Sequence, residues 1–299
     1  MIGLRSSRRT TGGTGGTDAE RTAAAVATGG VLPAAYEPLA VLAHGRRTIT
    51  WDAWDTARDA RCVVKVLRAD RLRDADAEEH RRLTEATLTE GRLLVELGHP
   101  HLVRGYDVLV DPLPGVVMET LGGASLDAVV EDHPLDAADT ALLGLQLCSA
   151  LGWLHRHDWL HLDLKPANVV VEAGRAKVID LGLAGRPGDG QPGSGTRGYL
   201  APEQATGRGL SPSTDVWGLG VTLLECLTGD LPFGDEATWE SRRRRPLLDR
   251  RMPRAPQAVP DEVPPAMAAV LRGCVALDPA ARPDLTEVRG VLREVASDR

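Results

Sequence analysis

The stretch His161-Leu162-Asp163-Leu164-Lys165-Pro166-Ala167-Asn168, followed twelve residues later by Asp180-Leu181-Gly182, decides how this chain is read. Between the two, Val169–Val171 and Lys177–Ile179 read as strands around a turn containing Gly174. Such a hairpin folds Asp180 back beside Asn168. The side-chain oxygens of those two residues are hard donors that suit Mg²⁺. Asp163 is a carboxylate able to take a hydroxyl proton, and Lys165 can reach a transferring phosphate. Phosphoryl transfer needs an oriented hydroxyl, clamped phosphates and metal-neutralised charge, and the segment carries a residue type for each.

Upstream of this stretch, residues 36–67 alternate as strands with a turn near Thr56–Asp59. Residues 76–97 turn helical, with Leu93, Leu94 and Leu97 on one stripe, Glu90 on that same stripe, and Glu85 on another face. Val116–Glu119 reads as a further strand. Asp136 caps a helix whose buried face is Leu143, Leu147, Ala150, Leu151 and Leu154. Further helices are expected near 214–228, 265–276 and 284–296, and the Gly/Pro-rich residues 183–196 read as a loop too polar to pack. The pattern predicts an α+β fold with a small sheet-rich lobe (34–119) and a larger helical lobe (121–299).

Composition narrows the setting. The chain has 299 residues, 42% hydrophobic, 26% charged and only 3% aromatic, so its core rests on Leu, Val and Ala. A net charge of −7 argues against generic nucleic-acid binding. Cys62, Cys148, Cys226 and Cys274 form no CxxC pair, which fits a reducing cytoplasm. No run is expected to span a bilayer. Residues 1–33 read as a flexible tail, with no apolar stretch behind Arg5, Arg8 and Arg9 to make a signal peptide.

On the catalytic stretch and what surrounds it, the chain resembles the eukaryotic-type bacterial serine/threonine protein kinases. HLDLKPAN looks like that family's catalytic loop, DLG like its metal-binding DFG, and Val63-Val64-Lys65 like its VAIK strand. Gly195-Thr196-Arg197-Gly198-Tyr199-Leu200-Ala201-Pro202-Glu203 is similar to the end of its activation segment, and Asp215-Val216-Trp217 to a supporting helix. The resemblance covers residues 36 to about 295. It implies a bilobal protein-kinase fold with ATP and Mg²⁺ (Mn²⁺ as a substitute) between the lobes, and a protein Ser/Thr hydroxyl as acceptor. Asp163 and Lys165 become catalytic, Lys65 pairs with Glu90 while holding the α- and β-phosphates, and Asn168 and Asp180 hold metal. Met118 becomes the gatekeeper, and the main chains of Glu119 and Leu121 face adenine. Ala43, Gly45, Thr50, Val63 and Val170 complete the nucleotide site. Thr196 is expected against Asp163, Glu203 against Arg282, and Asp215 behind the catalytic loop.

Four departures from the family pattern stand out. The phosphate-covering loop, Ala43 to Thr50, keeps only Gly45 of three glycines, which matters because that loop works through close backbone approach. Val63 and Thr50 replace the usual small alanine and valine around adenine. Leu162 replaces the arginine that gathers a phosphorylated activation loop, so activity independent of loop phosphorylation is expected. Residues 242–254 hold seven arginines in an acidic protein; a solvated loop is the plain reading and docking of acidic protein segments the sharper one. Two other functions share parts of this pattern: a nucleotide-binding pseudokinase acting as scaffold, and a small-molecule kinase, which Glu203 and Arg282 disfavour. Substrate, activating signal and oligomeric state are open.

Overall fold

The computed structural model describes residues 31–234 and 256–298. The tail expected over 1–33 therefore lies almost wholly outside the described residues, and the arginine-rich 242–254 wholly so.

Five strands form one antiparallel sheet in the order β1-β2-β3-β5-β4: β1 Tyr36–His44, β2 Thr48–Asp55, β3 Ala60–Leu67, β4 Gly105–Leu109 and β5 Gly115–Glu119. Alternation in β2 buries Ile49, Trp51 and Ala53, and in β3 Cys62, Val64 and Val66. The β2–β3 turn is made by Asp55, whose carboxylate accepts the N–H groups of Ala57 (3.0 Å) and Arg58 (2.9 Å). Two helices follow β3. Helix α1, Ala69–Asp74, has no side-chain cap and buries no residue, so its sequence carries no periodic signal. Helix α2, Ala77–Glu96, starts at Asp76, which accepts the Glu79 N–H at 2.8 Å. Its buried stripe of Leu83, Thr87, Glu90, Gly91 and Leu94 faces the sheet.

The larger lobe is helical. Strand β6 (Ala124–Ser125) joins the hairpin β7 (Val169–Glu172) and β8 (Arg175–Val178), and helix α3 (Leu126–Asp132) follows β6. Helix α4, Ala137–Arg156, is capped by Asp136 on the Asp139 N–H at 2.7 Å. Helices α5 (Pro202–Thr206), α6 (Pro212–Thr228), α7 (Pro265–Cys274) and α8 (Leu285–Ser297) complete the described elements. Against the expectation that no run would span a bilayer, α4 is long and apolar enough by length and composition. Its Leu147, Leu151 and Leu154 lie in the core with Trp217, Leu219 and Leu271, each Leu-sized side chain contributing about 1.5–3 kcal/mol of burial. All four cysteines are free and buried.

Residues 183–196 form a loop, as expected, and its backbone is ordered. Although polar, they are fastened by backbone pairs: Gly185 with Leu160 in both directions (2.8 and 3.0 Å), Gly188 with Leu210 in both directions (2.8 and 2.7 Å), and Gly190 N–H with Gly207 carbonyl (2.9 Å). Main-chain hydrogen bonding, invisible in a hydropathy pattern, supplies the order that apolar packing does not.

Candidate active site

Three charges meet between the lobes. Alternation in β3 leaves Lys65 on the face opposite Val64 and Val66, and its Nζ donates to Glu90 Oε1 at 2.8 Å and Asp180 Oδ1 at 3.1 Å. Glu90 is 3% exposed, whereas the Asp180 side chain is 39% exposed and opens to the cleft. Burial pushes the Glu90 carboxyl up, against the pull of the Lys65 ammonium, and the Asp180 carboxylate adds to the push. For Asp180 the balance is reversed. Burial opposes ionisation, but Lys65 and the Gly182 N–H (2.8 Å) hold its carboxyl low. Lys65 is held above its usual range, since the two carboxylates outweigh its desolvation. The lysine is thus fixed as a cation aimed at the cleft.

The catalytic stretch lies beneath. Asp215, buried in α6, accepts the N–H groups of His161 and Leu162, both at 2.8 Å, and the His155 ring at 2.8 Å. These bonds carry the unusual backbone of Leu162, whose φ of 65° a branched aliphatic residue rarely adopts. Asp163 is presented by that turn. Its Oδ1 accepts the Thr196 N–H at 2.9 Å, and its Oδ2 accepts Lys165 Nζ at 3.0 Å and Asn168 Nδ2 at 3.2 Å. Lys165 Nζ also bonds Thr196 Oγ1. Glu203 and Arg282 form a buried bidentate pair at 2.7 and 3.0 Å.

A cleft of about 360 Å³ separates the lobes, roofed by Ala43, Thr50, Val63 and Lys65, closed at the back by Met118, Glu119 and Leu121, and floored by Asn168, Val170 and Asp180. Gly45 is not in its wall; it turns the β1–β2 hairpin, its N–H donating to Thr48 carbonyl at 2.9 Å. Four further wall residues were not anticipated: Leu42, Val103, Ala167 and Ile179. Ala167 and Ile179 adjoin residues that were. Val103 reaches the cleft only because its N–H pairs with Val178 carbonyl at 2.8 Å, a contact with no local signal. Two polar side chains also escaped notice. Lys177 forms an ion pair with the Glu119 carboxylate, which also accepts the Arg104 N–H at 2.8 Å, tying hinge to β8. Gln204 is buried against the catalytic loop at 2.8 Å.

The donor set fits a divalent metal. Asn168 spends its amide nitrogen on the Asp163 carbonyl (2.9 Å) and carboxylate, which turns its side-chain oxygen away from that carboxylate. Asp180, with one oxygen shared between Lys65 and Gly182, has the other for a cation. Two hard oxygens with room for water and phosphate oxygens suit Mg²⁺.

A profile described as the protein kinase domain matches residues 36–291. The chain belongs to the protein kinase family. Its relatives include the serine/threonine-protein kinase PkaA of Streptomyces coelicolor, 33% identical over 247 residues, or 78% of this chain and 43% of that one. The serine/threonine-protein kinase PknB of Mycobacterium leprae is 37% identical over 194 residues, 59% of this chain and 30% of that one. An Arabidopsis thaliana SNF1-related protein kinase catalytic subunit is 29% identical across 83% of this chain and 49% of its own length. The kinase domain described here thus spans less than half the length of these curated relatives.

Proposed function

We propose that this protein is an ATP-dependent serine/threonine protein kinase. The observation that carries the reading is the Lys65–Glu90 pair at 2.8 Å, closed onto Asp180 at 3.1 Å within the same cleft as Asp163. Lys65 clamps the α- and β-phosphates in this reading, and Lys165 meets the transferring phosphate. Asp163 orients the acceptor hydroxyl and takes its proton, while Thr196 and Lys165 hold that carboxylate in place. Asn168 and Asp180 hold Mg²⁺, which when bound neutralises charge on the phosphates. Ala43, Thr50, Val63 and Val170 enclose adenine, with the main chains of Glu119 and Leu121 along its edge.

The same proposal takes 34–119 and 121–299 as the two lobes and a protein Ser or Thr as acceptor, in the cytoplasm, where buried thiols such as these four persist. The test is transfer of labelled γ-phosphate from ATP and Mg²⁺ to the protein itself and to a generic basic protein. Label on serine or threonine that vanishes in Asp163→Asn is the expected result. Nucleotide binding without transfer would instead select the scaffold reading that the sparse glycines of the 43–50 loop motivate.

A further inference from the structure

Gln204 is 5% exposed and sits in α5 immediately after Glu203. Its amide nitrogen donates to two carbonyls, Leu162 at 2.8 Å and Ser194 at 3.1 Å. Its amide oxygen accepts the Ala201 N–H at 3.0 Å, and its main-chain carbonyl accepts the Gly193 N–H at 2.8 Å. Both donors and the acceptor of the side chain are therefore used. One neutral side chain fastens the residue before Asp163, the residue two before Thr196, and the start of α5.

The surroundings show what this fastening replaces. Leu162 has no charge to offer a phosphate. A Cβ built on Gly185 would stand 3.3 Å from its Cδ1, so the leucine packs on the activation segment instead. The segment is then zipped onto residues 203–210 by the Gly188–Leu210, Gly190–Gly207 and Gly193–Gln204 backbone bonds. The zip ends at Thr196, whose N–H reaches Asp163 at 2.9 Å. From α5 to Leu162 and Ser194 the fastening is made by neutral groups, and charge enters only at the end, where the Lys165 ammonium bonds Thr196 Oγ1 and the Asp163 carboxylate.

We propose that Gln204 is a positioning residue that locks the activation segment onto the catalytic loop through its amide, keeping Thr196 and Asp163 in register without phosphate on the segment. The proposal rests on the phosphotransferase reading above. Both partners at Leu162 and Ser194 are acceptors, so only a donor serves. A carboxylate there would face two carbonyls unpaired and buried, which is costly.

The test compares wild type with Gln204→Glu, which retains the acceptor for Ala201 and loses both donors, and Gln204→Met, which retains the volume alone. Turnover, KM for ATP, and amide hydrogen exchange over 188–198 and over α6 are measured on the full chain. In both variants we expect kcat to fall about tenfold, the scale on which displaced catalytic groups lose rate, with KM for ATP within about twofold. Exchange should quicken at 193–196 and stay unchanged in α6. A kcat within about twofold of wild type overturns the proposal, as does protection lost equally in α6, the mark of a merely structural residue. Should wild type transfer no phosphate, the phosphotransferase reading fails separately. The exchange comparison then decides the lock, and unchanged protection at 193–196 overturns it.

Discussion

The turn between β1 and β2 and the loop between α4 and β7 face one cleft, yet they are built on opposite principles. The catalytic loop works through side-chain atoms, and each one it uses is of the type the chemistry requires: Lys165 and Asn168 both donate to the Asp163 carboxylate, at 3.0 and 3.2 Å. The β1–β2 turn works through main chain, so residue identity there is loosely constrained. With one glycine left, its carbonyls are held from outside by α1 and by Arg68 just before it. Arg68 Nη1 donates to Gly45 carbonyl at 3.2 Å, Arg68 N–H to Arg47 carbonyl at 2.9 Å, and Arg71 Nε to Arg46 carbonyl at 3.0 Å. A region that acts through side chains keeps its letters, while one that acts through backbone keeps only its shape, and another element can enforce that shape.

The contrast can be broken most sharply at Asp163. Replacing it by Asn preserves volume and removes the base; transfer should fall by about 10²–10⁴-fold with nucleotide affinity nearly unchanged, as initial rates and calorimetry would read. A comparable loss of nucleotide affinity would place Asp163 in binding and blur the division. Next comes Glu203→Ala, which strands the fully buried Arg282 guanidinium. It should cost about 3–5 kcal/mol in denaturant unfolding. At the backbone-built turn the effect should be smaller: Arg68→Ala should raise KM for ATP about tenfold, the low end of what one charge-assisted bond is worth at ~1.5 kcal/mol, and leave kcat alone. An unchanged KM would show that the turn holds its shape without the Arg68 guanidinium, on the two remaining bonds.

The smallest effect is a pH dependence that arises at the catalytic loop and at the segment before β4, and not at the β1–β2 turn. Burial lowers the pKa of His161 in the catalytic loop and of His99, the latter also beside His101 and Arg156. A base whose folded pKa lies below its unfolded one takes its proton more readily when unfolded. Stability should be fully present above the ordinary histidine range of about 6.5 and decline as pH falls below it. Melting temperatures from pH 7.5 to 5 should show that decline, and His99→Gln should make it shallower. The raised Glu90 carboxyl works in the opposite sense, losing stability as pH rises, so the slope that His99→Gln removes, and not the bare profile, reads the histidine contribution. An unchanged slope in that variant would mean His99 does not enter the fold in the neutral form.

Much of the site was legible because its chemistry is local. HLDLKPAN and DLG set four functional side chains and a hairpin within twenty-two residues, and Glu90 betrayed itself by lying on a leucine stripe where a solvated carboxylate would not. Helix α1 was not legible, since it buries nothing and so imposes no period. Nor was the order of residues 183–196, which comes from main-chain pairing that polar and glycine residues make as readily as any others.

By itself the sequence determined the two-lobed α+β fold, the cap at Asp136, and the residue types gathered for phosphoryl transfer. These follow from periodicity, short turns and side-chain chemistry, all expressed over a few neighbouring residues. Only the tertiary structure decided that Lys65 divides itself between Glu90 and Asp180, that Lys177 ties down the hinge, and that Gln204 holds Leu162 and Ser194 together. Those partners lie 10 to 115 positions apart in the chain. Which of them meet is set by how two hydrophobic cores pack, and no local pattern encodes that.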